Sequence, residues 1–213
     1  YGVVLWSGDI IGNFETLRDQ FAAGLNVSLA GIPWWTTDIG GFFVDVTAPG
    51  HKELLIRWFE WATFCPVLRL HGDKGPCESK PLDDRDWGGG FCHTGRDNEL
   101  WSYGEDVYEI LKHYVGVREQ LKPYLKQVMR EASENGSPVM RAMFYEFPDD
   151  PMCWEADEQY MFGSRYLVAP VLYAGMTERE IYLPAGKWKN IATGEELAGG
   201  RKVTVAAPLE VIP

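Results

Sequence analysis

Residues 1–9 read YGVVLWSGD, an apolar run that ends in a short polar turn. Residues 26–41, NVSLAGIPWWTTDIGG, repeat this pattern of an apolar run followed by a polar, glycine-rich loop. Between the two, residues 13–24 predict a helix, because Asn13 is a typical N-cap and Gly24 a typical terminator. A strand, a helix and a second strand in this order indicate a βαβ unit with parallel strands, here at 2–6 and 26–36.

The rest of the chain continues this alternation and then changes. Further helices are predicted at 51–64, 98–135 and 158–163, and a third parallel strand at 138–147. Within the long helix Pro123 is expected to cause a kink, and Gly136 to end it. Residues 72–97 are rich in Gly, Pro and charge, which predicts a functional or disordered connection. From about residue 165, turn residues separate short apolar runs, which predicts antiparallel strands at 166–172, 180–183 and 202–205.

Composition disfavours several classes of function. The formal net charge of −11 argues against nucleic acid or an anionic membrane as a partner, because both require a basic surface. No run of apolar residues approaches the roughly 20 that a transmembrane helix needs. The four cysteines, Cys65, Cys77, Cys92 and Cys153, contain no CxxC pair, so we expect no zinc site. Scattered thiols favour a reducing, cytoplasmic location.

Two carboxylates follow the predicted parallel strands, Asp9 after the first and Asp38 after the second. In a β/α barrel the active site lies at the carboxyl ends of the strands. Aromatic residues flank both acids, and burial beside such rings raises the pKa of a carboxyl, which suits a general acid. Neighbouring glycines, such as Gly41, are expected to let the backbone approach a ligand. Taken singly, each acid is equally consistent with a loop carboxylate that binds nearby backbone, and His71 with an ordinary polar contact.

Several segments, in this order and spacing, resemble glycoside hydrolase family 31, which contains α-glucosidases, α-xylosidases and relatives. They are WSGDI at 6–10, PWWTTDIGGF at 33–42 and PVLRLHG at 66–72, with further likeness at 98–105, 121–125, 138–141, 159–163, 167–171, 183–188 and 193–195. The resemblance covers essentially the whole chain. It implies an α/β fold: the C-terminal portion of a (β/α)8 TIM barrel, strands six to eight, followed by the start of an antiparallel β-sandwich domain. We place the barrel part at 1–164 and the β-domain at 165–213.

The resemblance also implies roles for single residues. Asp9 matches the general acid/base of a retaining mechanism. The residues that match sugar-binding positions are Trp6, Asp38, Phe42, His71, Trp35 and Arg69. Lys74 stands where some relatives carry a glutamine near the sugar. No metal site and no cofactor are implied.

The family's nucleophile, an Asp after the fourth barrel strand, belongs to a motif that these 213 residues do not contain. We therefore expect part of an enzyme that cleaves terminal α-linked glucose or xylose from oligosaccharides, inactive by itself. Its expected partners are the substrate, the rest of the parent chain and further copies of itself. A non-catalytic carbohydrate-binding or structural module is the alternative. A lyase or a transglycosylase would use much the same residues.

Overall fold

The structure, a computed structural model, describes residues 3–75 and 96–213. The first range contains β1 (Leu5–Trp6), α1 (Phe14–Leu29), β2 (Trp35–Thr36), β3 (Phe43–Asp45), α2 (His51–Thr63) and β4 (Asp73–Gly75). The second contains a 3-10 turn (Leu100–Tyr103), α3 (Glu105–Asn135), β5 (Met140–Ala142), α4 (Met143–Glu146), α5 (Pro151–Trp154), β6 (Tyr160–Phe162), β7 (Tyr166–Val168), β8 (Glu178–Leu183), β9 (Lys187–Lys189), β10 (Glu196–Ala198) and β11 (Arg201–Ala206). Most of the predicted connection at 72–97 lies outside the described residues, as do Cys77 and Cys92.

The first strands form the predicted βαβ unit. β1 and β2 are parallel neighbours, with Leu5 opposite Trp35. Asn13 caps α1, because its Oδ1 accepts a hydrogen bond from the backbone N–H of Thr16 at 2.7 Å. The strand predicted at 26–36 is wrong over its first part, because α1 continues to Leu29 and β2 comprises only two residues.

The predicted end of α1 at Gly24 is wrong, and the surroundings of this glycine give the reason. This glycine lies inside the helix, where a Cβ would stand 2.8 Å from Cζ3 of Trp35. The missing side chain therefore lets the tryptophan ring of β2 pack directly on the helix backbone. A residue that resembles a helix terminator in sequence is a packing contact in the structure.

The loops that follow β1 and β2 cross at two glycines. A Cβ on Gly41 would lie 2.3 Å from the Cα of Gly12, so a side chain there would collide with backbone. The backbone N–H groups of Phe42 and Phe43 both donate to the carbonyl of Ile10, at 2.8 and 3.0 Å. Gly41 thus allows backbone to approach backbone, whereas we expected it to allow approach to a ligand.

Helices α2 and α3 pack against each other and supply much of the core. Trp58 and Trp61 of α2 are fully buried. The helices predicted at 51–64 and 98–135 are confirmed, with a 3-10 turn ahead of α3. Gly136 ends α3 in the left-handed conformation, at φ 75°, and its N–H donates to the carbonyl of Ala132. Pro123 lies within α3, and the kink stays a prediction.

The strands β5, β6 and β7 form one antiparallel sheet, in which Met140 stands opposite Phe162. Two predictions are wrong here. The strand expected at 138–147 is antiparallel and ends at Ala142, and the helix expected at 158–163 is instead β6. All three residues of β6 are buried, and a short apolar run buried on all sides has the same sequence pattern in a strand as in a helix. The domain boundary between residues 164 and 165 stays a prediction.

The last strands pair as β8 with β11 and as β9 with β10, both antiparallel, which confirms the strands predicted at 180–183 and 202–205. Arg57 of α2 anchors this region to the helices. Its guanidinium is buried and donates at 2.8–3.3 Å to four carbonyls, those of Met176, Ala207, Pro208 and Val211. Charged hydrogen bonds of this kind are stronger than neutral ones, so they fix the C-terminal segment on the core.

The row Val3–Trp6, on and before β1, is apolar and exposed. Val3 is 72% exposed and Trp6 43%. Among the described strands β2 alone pairs with β1, so one edge of β1 is open in this part of the chain. An open edge with apolar side chains is a surface on which further chain can pair. In the described ranges, no helix combines the length and the hydropathy that crossing a bilayer requires.

Candidate active site

The register of β1 and β2 brings the two candidate acids to one edge of the sheet. Trp6 stands opposite Thr36, so Ser7 and Thr37 leave the strands side by side, and the Ser7 hydroxyl donates to Thr37 Oγ1 at 3.0 Å. Asp38 comes directly after Thr37, and Asp9 comes after Ser7 and Gly8. The two acids therefore share the carboxyl edge of the parallel pair, where active sites of barrel proteins lie.

Asp38 is the most enclosed member of this group, with no exposed surface. Its Oδ1 lies 3.0 Å from Nε of Arg69, which forms an ion pair with it. Burial raises the pKa of the Asp38 carboxyl above its ordinary value, because the charged form loses its hydration. Nearby charges act in both directions: three cations lower this pKa and one acid raises it, namely Arg69, His71, Lys74 and, as the acid, Asp9.

Asp9 has the opposite surroundings. It is exposed and follows Gly8, whose φ of 80° lies in the left-handed region. Residues other than glycine rarely adopt this conformation. No atom lies within 4 Å of the point where a Cβ on Gly8 would stand, so the space beside this glycine is open. The described residues therefore leave the Asp9 carboxyl accessible to solvent and to a ligand. We expected both acids to be buried; Asp38 is, whereas Asp9 is exposed.

Aromatic rings border the same edge. The guanidinium of Arg69 lies over the Trp6 ring, 5.5 Å from its centroid, while its Nε holds Asp38. The rings of Phe42 and His71 are 5.5 Å apart. The structure thus groups the predicted residues into two sets of contacts. Arg69 contacts both Asp38 and Trp6, and Phe42 contacts His71. A flat apolar face beside charged acceptors is suited to a sugar ring, which has apolar faces and polar edges.

Trp35 does not join this cluster, although we expected it to bind sugar. It is 2% exposed, and its ring packs against Trp61 at 5.9 Å and against Gly24. Both faces are therefore occupied by the core, and the structure does not support a contact with substrate. Its neighbour Trp34 is 40% exposed. Side chains alternate between the two faces of a strand, so one of two adjacent tryptophans points inward.

The environment of Lys74 could not be predicted from the sequence. This lysine, in β4, is completely buried, and its ammonium donates to the carbonyls of Ile39 and Gly41 in the turn after Asp38. Burial lowers the pKa of Lys74 to about 8, while the charges of Asp38 and Asp73 oppose this. Lysine is rarely buried completely, and nothing in the residues around it marks this one as an exception.

Within residues 3–75 and 96–213, His, Cys, Asp and Glu side chains form no cluster that could hold a metal ion. The site consists of two acids, an arginine that forms an ion pair with one of them, a buried lysine and aromatic faces. Such a set can bind a polyhydroxylated molecule through charged acceptors and transfer a proton through the exposed acid.

Comparison with known proteins gives a consistent result over the whole chain. A family model described as the TIM-barrel domain of glycosyl hydrolases family 31 matches residues 1–128, and one for the C-terminal domain of that family matches 136–213. An alpha-xylosidase of Saccharolobus solfataricus is 37% identical over 215 residues, covering all of this chain and 26% of that protein. Alpha-glucosidase 2 of Bacillus thermoamyloliquefaciens is 32% identical over 210 residues, covering 98% of this chain and 24% of that protein.

Solved structures agree. The crystal structure of a GH31 alpha-xylosidase from a soil metagenome, complexed with xylose, superposes with a TM-score of 0.94 at 51% identity. The match covers all of this chain and 32% of that one. The predicted fold class, the end of a TIM barrel followed by a β-domain, is confirmed. The chain spans about a quarter to a third of the length of these proteins.

Proposed function

Because this chain belongs to glycosyl hydrolase family 31, we propose that it forms part of a retaining α-glycosidase and supplies its general acid/base, Asp9. The observation that carries the proposal is the pair of acids at one sheet edge with contrasting surroundings. Asp38 is buried and clamped by Arg69, which suits a fixed binding contact. Asp9 is exposed, which suits a group that must exchange a proton with substrate and water.

The proposed mechanism is a double displacement. In the first step Asp9 protonates the departing glycosidic oxygen while a carboxylate from the rest of the enzyme attacks the anomeric carbon. In the second step Asp9 takes a proton from water, whose oxygen displaces that carboxylate. Two inversions leave the configuration unchanged. A retaining site places its two carboxyl groups about 5–5.5 Å apart, so the nucleophile must approach Asp9 from the open side of the cluster.

The remaining residues of the cluster bind the sugar in this proposal. The Asp38 carboxylate accepts hydrogen bonds from sugar hydroxyls, and Arg69 fixes its orientation through the ion pair. Trp6 and Phe42 present apolar faces to the ring. His71, exposed beside Phe42, is placed to contact the sugar at the cleaved end.

The proposed substrates are oligosaccharides with a terminal α-linked xylose or glucose. Xylose is the first choice, because the relatives at 37% and 51% identity carry the name alpha-xylosidase. Glucose is the second choice, on the likeness to alpha-glucosidase 2. The two sugars differ by a hydroxymethyl group, so the room left beside the ring determines which one binds.

We also propose a reducing, cytoplasmic location and association with the rest of a longer chain. Cys65 and Cys153 are both free and buried, which supports a reducing compartment. The exposed row Val3–Trp6 supports pairing with further chain at the open edge of β1. The same row would drive self-association of the 213 residues produced alone, and light scattering would detect it.

The test is an assay of the full-length gene product that contains this chain. We expect hydrolysis of aryl α-xylosides and, more slowly, aryl α-glucosides, with the α-anomer formed first as seen by proton NMR. Sugar binding without any turnover would support a non-catalytic module instead. Initial release of the β-anomer would contradict a retaining mechanism.

A further inference from the structure

Lys74 contacts the turn after β2 that connects two proposed sugar-binding residues, Asp38 and Phe42. Its ammonium donates to the carbonyls of Ile39, at 3.4 Å, and of Gly41, and these two residues stand between Asp38 and Phe42 in sequence. A backbone amide at the end of the turn is held as well, since Phe42 N–H donates to the carbonyl of Ile10. Two separate sets of hydrogen bonds therefore fix the turn, and Lys74 supplies one of them.

A completely buried ammonium is costly unless its three donors find acceptors or its charge finds a counter-charge. Two donors of Lys74 are satisfied by carbonyls, and those neutral partners do not balance the charge. The acids that do so are Asp38 and Asp73, both of which favour the charged form of the lysine. Lys74 and Asp38 are thus two buried groups of opposite charge that stabilise each other's ionised form.

We infer that Lys74 is a positioning residue of the proposed active site, which holds the turn carrying Asp38 and Phe42 through its hydrogen bonds and, together with Arg69 and His71, adds positive charge that favours the ionised form of the buried Asp38 carboxyl. The inference rests on the proposed function, in which the Asp38 carboxylate accepts hydrogen bonds from the sugar. Without the lysine charge, Asp38 would take up a proton at a higher pH. It would then lose part of its capacity as an acceptor.

Within residues 3–75 and 96–213, other charged groups also act on this pair. Arg69, His71 and Asp9 act on Asp38 together with Lys74. Asp73 acts on the lysine, and the lysine charge in turn lowers the pKa of the buried His51. Arg69 remains when Lys74 is replaced, so Asp38 keeps one direct cation and the effect of the replacement is a shift of its ionisation.

The test separates the hydrogen bonds of Lys74 from its charge in the full-length enzyme. Lys74→Gln keeps an amide that can donate to the turn and removes the charge, whereas Lys74→Arg keeps the charge. Lys112→Met removes an exposed lysine from α3 and serves as the control. For each variant kcat and KM are measured on an aryl α-xyloside from pH 4.5 to 8, with the thermal midpoint as a check of folding.

We expect the acid limb of kcat/KM to move to higher pH in Lys74→Gln, mainly through KM. A shift of the limb by one pH unit would lower kcat/KM by up to about tenfold at pH values below the limb and leave it nearly unchanged well above it. Lys74→Arg should keep the acid limb of the wild type even if its activity is lower throughout, and Lys112→Met should match the wild type. An unchanged acid limb in Lys74→Gln, or a loss that is uniform over pH in both variants, would overturn the inference. An inactive wild-type enzyme would instead refute the proposed function.

Discussion

At the scale of single residues, the site depends on the cations that offset the negative charge of one buried carboxylate, that of Asp38. Asp38 has no exposed surface, and Arg69 reaches it from a position that is one-third exposed. The order of the motifs predicted that Asp9, Asp38, Arg69 and His71 belong to one site. It could not predict which acid is buried, because burial depends on contacts between segments that are distant in sequence, such as the crossing of two loops at Gly12 and Gly41. For the same reason it could not distinguish the buried Trp35 from the exposed Trp34.

The ion pair leads to a prediction about stability. Arg69→Met leaves the Asp38 carboxylate buried beside one cation fewer, so the full-length protein should lose about 2–4 kcal/mol of stability near pH 7. Adding Asp38→Asn removes the unpaired charge and should recover part of this loss. Thermal midpoints of the wild type, both single variants and the double variant measure the coupling. Additive effects of the two substitutions would show that the pair is not coupled.

At the scale of elements, the agreement between sequence and structure follows from how local each signal is. Both ends of α2 and the end of α3 are predicted to within a residue, because apolar side chains recur at helical spacing over several turns, whereas α3 begins at Glu105, seven residues later than predicted. The end of α1 and the identity of β6 were mistaken, since each depends on a partner distant in sequence. Trp35 packs on the glycine inside α1, and β6 is a strand because β5 and β7 lie on either side of it.

Two helical glycines test this account of α1. Alanine is favoured over glycine in a helix by about 1 kcal/mol. Gly24→Ala should nevertheless destabilise the protein, because the new Cβ would stand 2.8 Å from Trp35. Gly116 of α3 has no atom within 4 Å of the equivalent position, so Gly116→Ala should raise stability by about 0.5–1 kcal/mol. Thermal melts of the two variants should move in opposite directions, and a stabilised Gly24→Ala would contradict the packing described here.

At the scale of the whole molecule, one buried side chain connects the helices to the C-terminal strands. Arg57 binds four carbonyls of that region and also lies 3.2 Å from Glu60, which is buried beside it. Burial raises the pKa of Glu60 to about 7, an effect that the charge of Arg57 opposes. Tyr114 of α3 completes the connection, since its hydroxyl donates to the carbonyl of Glu210 and accepts from the N–H of Ile212.

Glu60 should make stability depend on pH in a defined direction. The pKa of Glu60 is higher in the folded state than the ordinary 4.5. Its contribution to the free energy of unfolding is therefore fully present below about pH 4.5 and is lost as the pH rises towards about 7. Glu60→Gln cannot lose a proton. The variant should match the wild type near pH 4.5 and become more stable than it above pH 7, by on the order of 3 kcal/mol. Calorimetric midpoints from pH 4.5 to 8 measure this, with Glu119→Gln on the exposed side of α3 as the control; curves that stay parallel would contradict it.

The central claim, that Asp9 is the general acid/base, is tested most directly by Asp9→Ala in the full-length enzyme. General acid catalysis contributes about 10²–10⁴-fold, and a natural disaccharide needs it whereas an aryl glycoside with a good leaving group hardly does in the first step. The variant should therefore lose far more glycosylation rate on the disaccharide than on the aryl substrate. Azide, which attacks the glycosyl–enzyme without a base, should partly restore turnover. Asp38→Ala should lose activity on both substrates alike and show no response to azide. That uniform pattern in Asp9→Ala, with the selective loss and azide response in Asp38→Ala, would contradict the assignment and exchange the two roles.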